Sequence, residues 1–172
     1  NSLADIKLKP KLSNLKITSG ADADSILEAD IQLGNRESLE KIIKTDENHI
    51  TLESTASDYS YPFPTNASNR NWKVKLNSGI PLKLQTDLII GEQDLDLCEL
   101  EVQELDMKTI IGKTSVSLPC EENLSASIEL VIGEMVISIP ENVAVNIEID
   151  SGLTWVTLPK GYTKSGNIIK SN

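Results

Sequence analysis

A chain of 172 residues with 39% hydrophobic but only 3% aromatic residues has material for a real core, and that core must be aliphatic. The formal charge of −10, with Arg36 and Arg70 the only arginines, argues against nucleic acid and anionic lipid surfaces, because phosphate neutralisation needs clustered bases. No run of about 20 apolar residues and no signal sequence at Asn1 is visible, so the expectation is a soluble chain without direct membrane insertion, compatible with being the outer part of a longer anchored protein.

The first third reads as β-structure. Ile6 and Leu8, then Leu12, Leu15 and Ile17, form short alternating runs separated by Pro10 and closed by Ser19-Gly20. Residues 21–33 hold an Asp-rich turn and a half-buried strand through Ile26, Ala29, Ile31 and Leu33. Asp22 and Asp24 match the start of a calcium loop, but the glycine and distal glutamate of that motif are missing, so an Asx-type turn is expected. Residues 38–53 read as a hairpin turning at Asp46-Glu47-Asn48 rather than as a short helix. His49, the only histidine, has no motif around it and is expected to be a surface or pairing residue. Residues 57–70 are loop-like, with Tyr59, Tyr61 and Phe63 available either as a recognition patch or as packing over an open end. The glycosylation triplets at Asn66 and Asn123 are too common a pattern to carry weight.

From Asn71 onward one segment is written four times, with glycines at Gly91, Gly112, Gly133 and Gly152 and prolines at Pro119, Pro140 and Pro159. Aligned on the glycines, the copies give columns. These are Leu84, Leu105, Ala126, Val145; Thr86, Met107, Ile128, Ile147; Leu88, Thr109, Leu130, Ile149; Ile90, Ile111, Ile132, Ser151; Leu95, Val116, Ile137, Val156; and Leu97, Leu118, Ile139, Leu158. Alternation within each copy predicts two strands around a Gly-centred corner, with one face buried; Thr86, Thr109 and Ser151 break the apolar rule. A period near 20 with strand content predicts an all-β, β-solenoid or β-helix-like stack of about four repeats, favoured over an antiparallel meander. The Ile111/Ile132 column is expected to be buried.

Eight acids and no base fall from Asp87 to Asp106, at Asp87, Glu92, Asp94, Asp96, Glu99, Glu101, Glu104 and Asp106. Turned outward they predict a negative face, read first as a solvated face and second as a surface for a divalent cation or basic partner. Cys98 and Cys120 are one repeat apart, but their offsets from Gly91 and Gly112 differ by one residue, so free thiols are the default and a bridge the alternative. The whole, 1–172, is expected to be a single all-β domain, with an N-terminal hairpin region and loop over 1–70, the repeats over 71–161 and a tail over 162–172. That tail looks thin for capping an open solenoid end, which leaves self-association possible.

The run from Asn71 to Asn167, with NWKVKLNSGIPLKLQTDLIIGEQDLDL, LDMKTIIGKTSVSLP, IELVIGEMVISIP and NVAVNIEIDSGLTWVTLPKGY, resembles bacterial toast-rack domains. These are related to the C-terminal domain of LiaF-type cell-wall-active-antibiotic response proteins and to candidate adhesins. The resemblance implies a β-solenoid-like domain outside the cytoplasmic membrane, anchored through a segment not in this chain, with no established catalytic residues. It also implies accessory partners of an envelope-stress system; the closing strand pair found in many relatives looks absent or reduced here. The expectation is a non-enzymatic extracytoplasmic protein-interaction module of a bacterial envelope protein, with a protein partner at the envelope and no nucleic acid. A structural or adhesive surface protein is the alternative, and a glycan-active β-helix enzyme using paired carboxylates comes third. No catalytic, cofactor-binding or metal-ligating residue is singled out.

Overall fold

The computed structural model describes residues 2–44, 48–56, 70–120, 124–140, 143, 145–153 and 162–171. Its strands are β1 (Ala4–Ser19), β2 (Leu27–Gln32), β3 (Glu37–Lys44), β4 (His49–Ala56), β5 (Asn71–Leu76), β6 (Leu82–Asp96), β7 (Val102–Ser117), β8 (Leu124–Ser138), β9 (Val145–Leu153), β10 (Tyr162–Ser165) and β11 (Ile168–Ser171). They join into one 11-stranded sheet in which β1, β6, β7, β8 and β9 lie side by side and parallel. The expected stack is thus present as β6–β9, and β1 adds a further layer that the repeat alignment did not include.

Each copy is one long strand, not two. β6, β7 and β8 run 15, 16 and 15 residues straight through their glycines. The buried positions of β6 are Leu82, Leu84, Thr86 and Leu88 before Gly91 and Gln93 and Leu95 after it, so the parity changes at the glycine. Gly91, Gly112 and Gly133 absorb that change with φ of 144°, 150° and 146°, a conformation that side chains with a Cβ rarely adopt. Both halves of the strand therefore turn their aliphatic faces into the same core. The three glycines form a row in which a Cβ on Gly112 would run into the carbonyl oxygen of Gly91, and one on Gly133 into that of Gly112. Gly91 meets the carbonyl of Ser13 in the same way. Ser13 keeps its side chain because the layer before it is interrupted at this point, and its Oγ donates to the Arg70 carbonyl at 3.0 Å.

Gly152 does not join this row. Leu130 pairs with Ser151 and Ile132 with Leu153, which sets Gly152 opposite Val131, two residues short. The true columns keep a strict 21-residue step: Leu84, Leu105, Ala126, Ile147, and Thr86, Met107, Ile128, Ile149. Aligning on the glycine shifted the fourth copy by two, an error that alternation hides because a two-residue slip leaves every side chain on its own face. The same columns extend back to Ile6 and Leu8 in β1, both fully buried. A bulge between Leu8 and Leu12, with Lys11 at φ 55°, accommodates Pro10.

The core is a continuous aliphatic spine closed by Trp72 at 1% exposure. Of the expected exceptions, Thr109 is buried with partners. Gln93 Nε2 donates to its hydroxyl and to the Lys108 carbonyl, both at 2.9 Å, and Thr109 shares a 2.9 Å hydrogen bond with Thr114. The structure offers no account of Thr86, whose buried hydroxyl has no such bond.

Beyond β1 lies a split layer: β4 runs parallel to residues 5–9 and β5 parallel to residues 14–19. Antiparallel strands then finish it, β3 on β4 and β2 on β5. The hairpin expected over 38–53 is this β3–β4 pair; most of its turn, and the aromatic segment with Tyr59, Tyr61 and Phe63, lie outside the described residues. At the far end β11 pairs antiparallel with β9 and with β10. The closing strand pair thought to be reduced is therefore formed, from a tail whose polarity had concealed it. Cys98 and Cys120 are bridged, with Cα atoms 4.7 Å apart. Their one-residue stagger is no obstacle, because both lie past the strand ends in turns, where Cys120 N donates to the Cys98 carbonyl at 3.2 Å.

Candidate interaction surface

Parallel register sets like positions of successive layers side by side on the outer face, so charges meet laterally. Lys83 reaches Glu104 at 2.5 Å, Lys108 reaches Glu129 at 3.0 Å, Lys113 reaches Glu134 at 3.4 Å and Lys16 reaches Asp94 at 3.7 Å. All four are direct register neighbours. Hydrogen bonding to Glu104 and to Glu129 raises the pKa of Lys83 and Lys108 respectively. The acids of 87–106 that were expected to make one negative face are thus partly matched by lysines on adjacent strands. Asp106 instead faces Gln85 and Ser127. There the short side chains of Ser125, Ala126 and Ser127 leave an open groove of about 370 Å³, rimmed by Glu104, Asp106 and Glu148.

A different surface forms at the corners. Ile111, Val131, Ile132 and Val136 are 38%, 39%, 55% and 43% exposed. The Ile111/Ile132 column, expected to be buried, is a ridge instead. Its first member, Leu12, is still covered at 9%, Ile90 is half-buried, and exposure grows from layer to layer. The cause is the corner itself: with the parity change at the next residue, the position before each glycine sits where the strand turns away from the core. A signal existed in the doublets Ile89-Ile90, Ile110-Ile111 and Val131-Ile132. Two consecutive residues of a strand cannot both face one core.

His49 pairs as expected. Its Nδ1 lies 2.9 Å from Asp5 Oδ2 and its Nε2 2.9 Å from Thr51 Oγ1, which ties β4 to β1. Asp22 and Asp24 sit at a turn in which Ser25 N donates to the Asp22 carbonyl at 2.9 Å. That turn is gripped by Asn77, which sequence reading passed over: its Nδ2 donates to the carbonyls of Asp22, Ala23 and Ser25 at 3.3, 3.3 and 2.9 Å. Arg70, also passed over as a local residue, pairs with Glu37 at 2.9 Å, with side chains 16% and 7% exposed. Among the described residues no group of three or more His, Cys, Asp or Glu could hold a metal ion, and no helix is long and apolar enough to cross a membrane.

Residues 2–138 match the family described as the N-terminal domain of toast_rack, DUF2154. In fold, the chain is similar to the crystal structure of a candidate cell adhesion protein from Clostridium sporogenes ATCC 15579. The TM-score is 0.74 at 20% identity, covering 98% of this chain and 80% of that one. No curated protein matches the chain.

Proposed function

The chain belongs to the family of N-terminal toast-rack domains, and from that premise we propose that it is a non-enzymatic, extracytoplasmic protein-interaction module of a bacterial envelope protein, serving an envelope-stress or antibiotic response. The observation that carries this reading is the corner ridge. Ile111, Val131, Ile132 and Val136 stand exposed on a fold whose outer-face acids are partly matched by lysines. Ile111 and Ile132 are register neighbours, and large aliphatic side chains left exposed side by side are a feature of protein interfaces. The Cys98–Cys120 bridge supports a location in an oxidising compartment outside the cytoplasm.

The test is capture from solubilised envelope extract by the intact chain and by an Ile111→Glu/Ile132→Glu variant of matched thermal stability. The reading expects one discrete membrane protein, identified by mass spectrometry, held by the native chain and lost with the variant. Equal capture by both would refute the ridge. A structural or adhesive role is the second reading, favoured by the fold likeness to the Clostridium protein. It predicts attachment to whole cell surfaces or to other copies, with no discrete partner.

A further inference from the structure

β5 and β6 are consecutive in the chain, joined by residues 77–81, yet they are not neighbours in the sheet. β1 lies between them. One edge of β1 is hydrogen-bonded to β4 and β5, from Asp5↔His49 to Ser19↔Leu76, and the other to β6, from Ala4↔Leu82 to Ile17↔Leu95. Every strand it touches is thus at least 44 residues away in sequence. The strand fills this slot with Ala4, Ile6, Leu8, Leu15 and Ile17, none more than 1% exposed. Its covalent connection to β2 is the connector 20–26, which crosses the end of β5.

That connector is held shut by a small set of bonds. Gly20 N and Ala21 N donate to the Leu76 carbonyl at 3.1 and 3.2 Å, and Asn77 N donates to the Ile26 carbonyl at 3.1 Å. The Asn77 amide binds the three turn carbonyls, and its Oδ1 accepts from Gly79 N at 2.9 Å. Asn77 is 8% exposed, so these bonds are sheltered from water.

We infer that β1 is an exchangeable layer: the β1 of a second copy fits the same slot, giving a strand-exchanged dimer, and Asn77 is the latch that keeps β1 in its own chain. An exchanged dimer keeps every contact of β1 with β4, β5 and β6, because the incoming strand has the same sequence. The two states differ only in the connector, where exchange opens the turn that Asn77 closes. Exchange goes beyond the interaction role proposed above and does not depend on any envelope partner.

The experiment co-refolds two full-length variants, Asn14→Cys and Glu92→Cys, at rising concentration with the Cys98–Cys120 bridge intact. Asn14 and Glu92 are register partners across β1 and β6. A thiol cross-link between the two chains forms only if the β1 of one sits beside the β6 of the other. The inference expects that cross-link in a dimer whose fraction grows with concentration. In a parallel refolding, Asn77→Ala should raise the dimer association constant about tenfold or more, the equivalent of one lost hydrogen bond. Monomer at all concentrations, or a dimer without the cross-link, overturns exchange. An unchanged association constant for Asn77→Ala overturns the latch. Should that variant fail to fold, the cysteine pair still decides the main question.

Discussion

Replacing Gly112 with alanine tests the row of corner glycines. At φ 150° an alanine is strained by about 1–3 kcal/mol before any contact is considered. Its Cβ then collides with the Gly91 carbonyl oxygen, with the Gly91 carbon 2.9 Å away. The obstacle is backbone and cannot rotate aside, so β6 and β7 must separate locally, weakening ladder hydrogen bonds that contribute about 1 kcal/mol each. Together these place the loss at about 4 kcal/mol or more, among the large single-residue effects. For a chain of this size that is a fall in Tm of roughly 8–16 °C. Two controls separate the terms. Gly20 has φ 103° but nothing within 4 Å of an added Cβ, so Gly20→Ala should cost only backbone strain, about 1–2 kcal/mol. Ser13→Ala, at the same corner in β1, loses one hydrogen bond, about 1 kcal/mol. Urea and thermal unfolding of the three variants give the order. A Gly112→Ala midpoint no lower than that of Gly20→Ala would refute the close stacking of the corners.

Ile132→Asp should cost about 1 kcal/mol or less, because the side chain is 55% exposed, whereas Ile128→Asp, at 1%, should cost several; thermal melts of the pair check the placement of the ridge. Reducing the Cys98–Cys120 bridge, which closes a 22-residue separation, should lower unfolding stability by about 3 kcal/mol on the chain-entropy account, read by denaturant titration with and without reductant. Lys11 hydrogen-bonds Glu53 at 2.8 Å and holds its pKa below the ordinary 4.5. The unfolded chain then binds the proton first, so this stabilisation is present above pH 4.5 and is lost as pH falls through the lowered value. Glu53→Gln should therefore remove about 0.5–1 kcal/mol near neutral pH, a difference from the native chain that shrinks below pH 4. Arg70→Ala leaves Glu37 unpaired at 7% exposure and should cost about 2–4 kcal/mol, measured by urea titration.

Much of the stack was legible because a layered sheet writes its geometry as a period. Three glycines at a 21-residue step, with aliphatic columns on either side, were enough to place β6, β7 and β8. What escaped had physical reasons. β1 shares the spacing of Ile6, Leu8, Leu12, Leu15 and Ile17 with later layers, but Ser13 stands where they have glycine and the bulge at Pro10-Lys11 breaks the count. Gly152 drew the fourth copy out of register because a two-residue slip preserves alternation. The ridge was hidden by treating every aliphatic column as core, although the glycine beside it turns the strand. Asn77 and Arg70 act through backbone carbonyls and a distant carboxylate, contacts that no local pattern announces.

The insertion of β1 between β5 and β6 has a kinetic consequence. During synthesis β1 emerges long before either flanking strand exists, since its partners begin at His49, Asn71 and Leu82. Loop closure over such separations is entropically slow, and until residue 95 is available one edge of this aliphatic strand stays unsatisfied. The nascent polypeptide is thus most vulnerable to off-pathway pairing between the emergence of β1 and that of β6, and maturation should be paced by the docking of β1.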